Sequence, residues 1–320
     1  MYKIELTSID SIDGILNEIH GYFPNGKIDE KGFKVDNVKE SFSYSIINFL
    51  GAFHVVLFEG YLGEDTQIKI KPNSNKSLVM RFILESSVLH QDRELSIGEG
   101  LENGACLYNS YSEQKLFIEK GKTVKWLAVH IPIERWLEFT ESKWETLNSI
   151  VENVNPWILF ESMTPKLSTL IKDVFAYNTL DIGRKGFIVS KTIELVTHFM
   201  IQLHKRGNDA ENIGVPDVEI SKLYAVRELL NKQLNEPPSM EDLASSFAMS
   251  ETKLRSNFKK VFGMPPYQYV LKERLNESYR LLESTDRSLT DIALTLGFND
   301  QSHFTKSFKK VFECLPSSVR

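Results

Sequence analysis

The alternation of hydrophobic and polar positions changes its rhythm along this chain. From about Phe42 to Ile131 the text is strand-like. Gln67-Ile68-Lys69-Ile70-Lys71 alternates, and Leu78 to Leu84 is a compact apolar run. Leu116-Phe117-Ile118 is followed across Glu119-Lys120-Gly121-Lys122 by Val124 to Ile131, a spacing that predicts a hairpin. Short strands separated by Gly, Asn and Pro predict a small β-barrel or jelly roll. Ahead of them, Ile9, Ile12, Ile15, Leu16 and Ile19 space as a short helix before Gly21. Pro132 closes the sheet region, and the apolar period lengthens to that of helices. Thr164 with Pro165 predicts a capped start, with Leu167, Leu170, Ile171 and Val174 on the inner face. Phe187 to Arg206 predicts a second helix, inner residues Leu195, Val196, Phe199 and Leu203, closing with His204-Lys205-Arg206 before a C-cap Gly207.

Residues 207–216 are polar and rich in Gly, Asn and Pro, the composition of a linker. The chain thus divides into a β-rich domain (1–160), a helical region (161–206), the linker and a C-terminal all-α domain (217–320). In that last domain Leu223, Val226, Leu230 and Leu234 predict a first helix stopped by Pro237-Pro238, and Pro266 predicts the start of a long helix reaching about Glu283. Around this long helix one pattern is written twice. Ser239-Met-Glu-Asp242-Leu243-Ala244 returns as Ser288-Leu-Thr-Asp291-Ile292-Ala293, and FKKVF at Phe258–Phe262 returns at Phe308–Phe312. The first offset is 49 residues and the second 50, so one residue has been inserted within the second copy.

Each copy predicts a short helix, a tight turn and a second helix. Ser239 and Ser288 stand at N-cap positions, with Asp242 and Asp291 at capping-box spacing. The turns fall at Ala248-Met249-Ser250 and Gly297-Phe298-Asn299-Asp300, where Gly297 suits a positive φ and Ser250 and Asn299 suit the next caps. In the second helices Leu254, Phe258, Val261 and their counterparts Phe304, Phe308, Val311 form core stripes. Another face is wholly polar: Thr252, Arg255, Ser256 and Lys259 in the first, Ser302, Thr305, Lys306 and Lys309 in the second, with Gln301 just ahead. One such stripe is as consistent with a solvated face as with a reading face. Two in register point to DNA, since Arg reads guanine, Gln reads adenine and Ser or Thr bond several base edges. Lys259, Lys260, Lys309 and Lys310 lie one turn on, where phosphates would run.

The net charge of −5 looks unfavourable for such a partner until it is divided. Residues 217–320 carry 15 Lys and Arg against 14 Asp and Glu, while the preceding residues carry 23 against 29, so the acidity belongs to the front. Binding then depends on local placement of cations and falls with salt. The chain has no run approaching the ~18 apolar residues of a membrane span and no leader-like start, and its two cysteines, Cys106 and Cys314, form no CxxC, which suits the cytoplasm. His54, His90 and His130 are scattered with no HxH, so neither a metal nor another cofactor is expected. Nor is there a nucleophile elbow, phosphate loop or paired-carboxylate motif, so no catalytic residue is assigned.

Leu243-Ala244, Met249-Ser250, Leu254, Phe258-Lys259, Phe262-Gly263 and Pro265, repeated as Ile292-Ala293, Gly297-Phe298, Ser302, Phe304, Phe308-Lys309 and Pro316, resemble the DNA-binding domain of the AraC/XylS family of bacterial transcription regulators. The resemblance covers about a third of the chain. Ser250 to Leu254 and Pro237-Pro238 look most like the branch that includes the pyochelin-siderophore regulator, which makes a ferric siderophore one candidate effector. Glu313 departs from the family's Gly after the last helix, and Ser278 from its small apolar residue in the connecting helix.

The resemblance implies a cupin-like front domain binding a small-molecule effector, a homodimer through helices 164–206, promoter DNA as partner, and contact with RNA polymerase. Phe82, Tyr108, Tyr111, Phe117 and Trp126 are candidates to line an effector pocket, although such residues more often form barrel core. Two other functions compete. A β-barrel enzyme would turn over a small molecule in the front domain. An adaptor with repurposed helix-turn-helix units would need apolar reading faces, and these are polar. The reading adopted is a sequence-specific DNA-binding transcription regulator controlled by a small-molecule effector.

Overall fold

Strands that are apolar at consecutive positions need cover on both faces. Those of the front domain receive it in the computed structural model, which describes residues 1–7, 11–51, 53–72, 76–85, 104–111, 114–139, 148, 151, 157–205 and 217–319. The strands are β1 Tyr2–Leu6, β2 Lys27–Asp29, β3 Gly32–Asp36, β4 Ser41–Phe49, β5 Phe53–Tyr61, β6 Thr66–Ile70, β7 Ser77–Glu85, β8 Gly104–Asn109, β9 Gln114–Ile118, β10 Val124–Pro132 and β11 Ile158–Ser162. Eight of them form one antiparallel sheet in the order β11-β8-β7-β10-β5-β4-β3-β2. The other three form a small sheet in which β6 lies between a parallel β1 and an antiparallel β9.

Because side chains alternate across a pleated strand, the central strands serve two cores at once. Val55, Leu57, Met80, Phe82, Leu107, Leu127 and Val129 share a buried cluster with α3 (Pro165–Asn178) and α4 (Arg184–His204). There the Phe82 and Phe199 rings meet edge to face at 5.1 Å. The alternate residues, among them Val56, Arg81 and Trp126, line a cavity with Leu6, Ile70 and residues of α1 (Ile12–Tyr22). The helices hold their sequence-expected inner residues: Ile15, Leu16 and Ile19 in α1, Leu167 to Val174 in α3, and Leu195 to Leu203 in α4. The Ser11 hydroxyl accepts from Gly14 N–H at 2.9 Å, and Thr164 caps α3 through Leu167 N–H at 3.4 Å.

Several expectations need correction. The front domain is β-rich, but neither sheet closes, so no barrel forms among the described residues. β9 and β10 do not make a hairpin: β9 pairs with β6, whereas β10 runs between β5 and β7. The intervening turn crosses between sheets, with Gly121 N–H held by Leu62 O at 2.8 Å. Pro132 does end β10 and gives way to α2 (Ile133–Phe139), yet the sheet gains β11 further on. Its run Ile158-Leu159-Phe160 is wholly buried, a pattern that strand and buried helix share. α4 starts at Arg184, before Phe187, because Gly183 takes φ 76 at its N-cap. Ile9, His90, Arg206, Gly207 and the linker 207–216 lie outside the described residues.

The chain divides into two compact units, Met1–Ser221 and Lys222–Arg320. The helices that make up the second are α5 Asp217–Lys232, α6 Met240–Ser246, α7 Glu251–Phe262, α8 Pro266–Ser284, α9 Leu289–Thr295 and α10 Gln301–Phe312, followed by a 3₁₀ turn at Pro316–Ser318. Leu223, Val226 and Leu230 of α5 are buried, while Leu234 falls beyond its end.

Strand pairing also brings together two histidines distant in sequence. His54 on β5 faces His130 on β10, with ring centroids 5.9 Å apart. Burial, then His54, then Arg81 lower the His130 pKa from 6.5 to about 3, and burial lowers that of His54. The fold therefore holds the neutral imidazole. Below pH about 6.5 an unfolded chain takes up a proton that folded His130 refuses until about pH 3, so stability falls as pH drops through that window. His130 keeps some accessible surface in the cavity lining, and roughly 1–3 kcal/mol is the discounted size of this effect. Urea unfolding between pH 7.5 and 5 should show a smaller loss of stability for His130→Gln than for the native chain.

Candidate nucleic-acid interface

Each helix-turn-helix unit is set by its turn. After α6, Met249 N–H reaches Ala244 O at 2.9 Å and Ala248 N–H reaches Ser245 O at 3.2 Å; after α9, Phe298 N–H reaches Ala293 O at 2.9 Å and Gly297 N–H reaches Leu294 O at 3.0 Å. These are two copies of one Schellman turn. Its left-handed position is Ala248 (φ 50) in the first and Gly297 (φ 78) in the second, 49 residues apart. The next caps are Ser250, which accepts from Lys253 N–H, and Asp300, which accepts from His303 N–H at 2.7 Å. Asp300, not Asn299, is the second cap. The caps are 50 residues apart, so Asn299 is the inserted residue.

The cores repeat as well. The Phe258 and Phe262 rings meet at a tilt with centroids 4.3 Å apart in α7, and those of Phe308 and Phe312 likewise at 4.5 Å in α10. The connecting helix α8 supplies a ring to each: Tyr269 lies 5.6 Å from Phe258, and Tyr279 lies 5.0 Å from Phe312. Ten residues apart on one helix, these anchors stand about 15 Å from each other along its axis. Val261 is buried as expected, but Val311 is 49% exposed. The first unit has α5 beside it, with Tyr224 edge-on to Phe262, whereas a short 3₁₀ turn at Pro316–Ser318 packs beside α10.

Among the expected contact residues, Thr252, Arg255 and Ser256 are exposed on α7, with Lys259 and Lys260 half-buried one turn on. On α10, Gln301, Ser302, Lys306, Lys309 and Lys310 are exposed and Thr305 is half-buried. Gln301 is already engaged, since its Oε1 accepts from the Thr290 hydroxyl at 2.7 Å. That bond ties the first residue of α10 to α9. Asp291 departs from its counterpart Asp242: the Ser239 hydroxyl donates to Asp242 at 2.6 Å, whereas Arg287 Nε donates to Asp291 at 2.6 Å and lowers its pKa.

Sequence reasoning missed Arg274. From α8 its Nε donates to Leu234 O at 2.6 Å, Nη1 to Gly297 O at 2.7 Å and Nη2 to Asn235 O at 3.2 Å. Burial lowers its pKa from the ordinary value, and the guanidinium lies 5.9 Å from the Phe298 ring. One side chain thus joins the end of α5, the connecting helix and the turn of the second unit. Gly297 completes the fit, because a Cβ there would meet Asn235 O at 2.4 Å. The available signal was a cation four residues from both Val270 and Ser278, on the buried stripe of α8.

In the front unit the aromatic candidates separate. Phe82 belongs to the helix-facing core, Tyr108 is buried beside Arg81, Tyr111 receives Lys76 over its ring at 5.4 Å, and Phe117 sits half-buried on β9. Of the five, Trp126 lines the cavity, whose volume is about 450 Å³. No group of three or more metal-ligating side chains occurs among the described residues.

A helix-turn-helix domain model matches residues 243–320. The transcriptional activator RhaS of Enterobacter sp. (strain 638) is 32% identical over 127 residues, 40% of this chain and 45% of that protein. The regulatory protein PchR of Pseudomonas aeruginosa is 31% identical over 116 residues, 36% of this chain and 39% of its own. This chain therefore spans under half the length of these two relatives. A solved transcriptional regulator with an AraC-type DNA-binding domain, from Chromobacterium violaceum, is 31% identical, with 32% of this chain and 91% of that one covered and a TM-score of 0.31.

Two predictions follow from the helix ends and the clamp. Glu313 ends α10 at φ 59, with its N–H on Lys309 O at 2.9 Å, a position Gly263 fills in the first unit. Glu313→Gly should raise stability by about 0.5–1 kcal/mol by removing a left-handed non-Gly residue. Arg274→Ala should cost about 2–4 kcal/mol in urea unfolding, since it strands three carbonyls, and Arg274→Lys should recover only part because an ammonium cannot reproduce the fork.

Proposed function

We infer that this chain, whose C-terminal domain belongs to the AraC type of helix-turn-helix domains, is a sequence-specific DNA-binding transcription regulator whose front domain binds a small-molecule effector. The observation that carries it is the pair of matched units, each presenting a polar helix face to solvent from a rigid Schellman turn. α7 and α10 enter successive major grooves on one side of the duplex, about 34 Å apart. Arg255 reads a base bidentately, Gln301, with its Oε1 held by Thr290, offers its amide N–H groups to base edges, Thr252, Ser256, Ser302, Thr305 and Lys306 support them, and Lys259, Lys260, Lys309 and Lys310 neutralise phosphates.

The β-rich unit acts as a cupin-like sensor, a reading supported by its cavity of about 450 Å³. A homodimer forms through α3 and α4, where Ile182 in their connection and Phe187 and Ile201 of α4 remain exposed apolar residues. The protein works in the cytoplasm beside RNA polymerase, and no helix among the described residues is long and apolar enough to cross a membrane. Effector control requires a coupling of about 1–3 kcal/mol between the two sites, felt equally by effector and DNA.

Selection of duplexes from a random pool by the full chain tests the reading, followed by affinity and salt dependence on the selected site. Arg255→Ala should relax preference at one base position at a cost of about 1–3 kcal/mol. Lys260→Ala should weaken all sequences alike and reduce the salt slope by about one. A selection that yields no enriched sequence would remove the DNA-reading assignment.

A further inference from the structure

The cavity between the large sheet and α1 contains a charge that the fold leaves without a partner. Arg81 is 2% exposed, and its Nε and Nη1 have no hydrogen-bond partner. The guanidinium lies 5.3 Å from the Trp126 ring and 5.6 Å from that of Tyr108. Aromatic faces soften the desolvation of a cation but do not accept its N–H groups in the way a carboxylate does. Strand register explains the position. Arg81 pairs with Ala128 on one side and Cys106 on the other, two small side chains that leave room above the sheet.

Resting on the effector reading above, we propose that this cavity binds a small organic carboxylate with an apolar body, its carboxylate held by Arg81. The rest of the lining suits such a molecule. Leu6, Ile12, Ile15, Ile46 and Val56 offer an apolar wall, and the volume of about 450 Å³ falls within the ordinary range for small-ligand sites. Among the described lining residues Arg81 is the one permanent cation, and His54 and His130 are held neutral mainly by burial. A single positive charge matches a monoanion better than a phosphate dianion. Asp13, the carboxylate in the lining, stands exposed at the start of α1, where it disfavours a second anionic group at that end. A buried guanidinium is costly when unpaired, so the arriving carboxylate supplies what the empty site lacks.

The test is calorimetric titration of the full chain with naphthylacetate and cyclohexylacetate, each beside its primary amide, for the native chain, Arg81→Met and Arg81→Lys. The acids should bind about ten-fold or more tighter than the amides, Arg81→Met should bind acid and amide alike, and Arg81→Lys should keep part of the preference. Ligand-free Arg81→Met should melt no lower than the native chain, because an unpaired buried charge has been removed. Failure of both acids to bind, an acid preference that survives Arg81→Met, or a loss of stability in ligand-free Arg81→Met would each overturn the proposal. Affinity for a selected duplex, measured with each compound present, separates this proposal from the reading beneath it. Arg81-dependent acid binding without effect on DNA removes effector control and leaves the site. An amide that shifts DNA affinity where its acid does not removes the carboxylate and leaves effector control.

Discussion

A guanidinium shared among three carbonyls holds the C-terminal domain in register. Two helix-turn-helix units could be tethered by any long helix and still present their outer faces at variable angles. Arg274 removes that freedom by binding the segment after α5 and the turn of the second unit at once. Tyr269 and Tyr279 then fix each aromatic core to the same helix. The spacing of α7 and α10 follows from these contacts to one connecting helix, and the outer residues are free to vary without disturbing it.

The two units are copies with unequal surroundings. The same Schellman turn is built on Ala248 in one and Gly297 in the other, and the difference has a local cause. At Gly297 the neighbouring chain at Asn235 comes too close for a methyl group. The alanine instead tolerates a strained φ. Val261 and Val311 show the same contrast in burial, set by what packs alongside rather than by their identical pentapeptides.

Much of this was legible from residue spacing. Caps at Ser239, Ser250, Thr164 and Ser288, the stripes of α1, α3, α4 and α7, and the duplication itself are local signals, decided within a few residues of where they are written. What escaped was non-local. Whether Leu116 to Ile118 turns back onto Val124 or joins β6 depends on strand partners about fifty residues away, and a run such as Ile158 to Phe160 carries no period to identify it. The candidate pocket aromatics failed to separate for the same reason: Phe82 and Trp126 read alike until strand register assigns one to each face. Arg274 and Arg81 are cations inside apolar patterns, and such exceptions mark places where distant backbone or empty space, rather than the helix or strand itself, determines the residue.

The alternation along β7 has a mechanical consequence. Phe82 meets Phe199 of α4 on one side, and Arg81, its neighbour in the chain, projects from the other. The strand is therefore a party wall, with both tenants fastened to adjoining bricks. A displacement of the Arg81 backbone is passed on to Phe82, because the peptide unit between the two residues is stiff and Phe82 is close-packed. Repacking α4 would be felt in the cavity by the same route, and the two faces of the sheet have to be understood as one object.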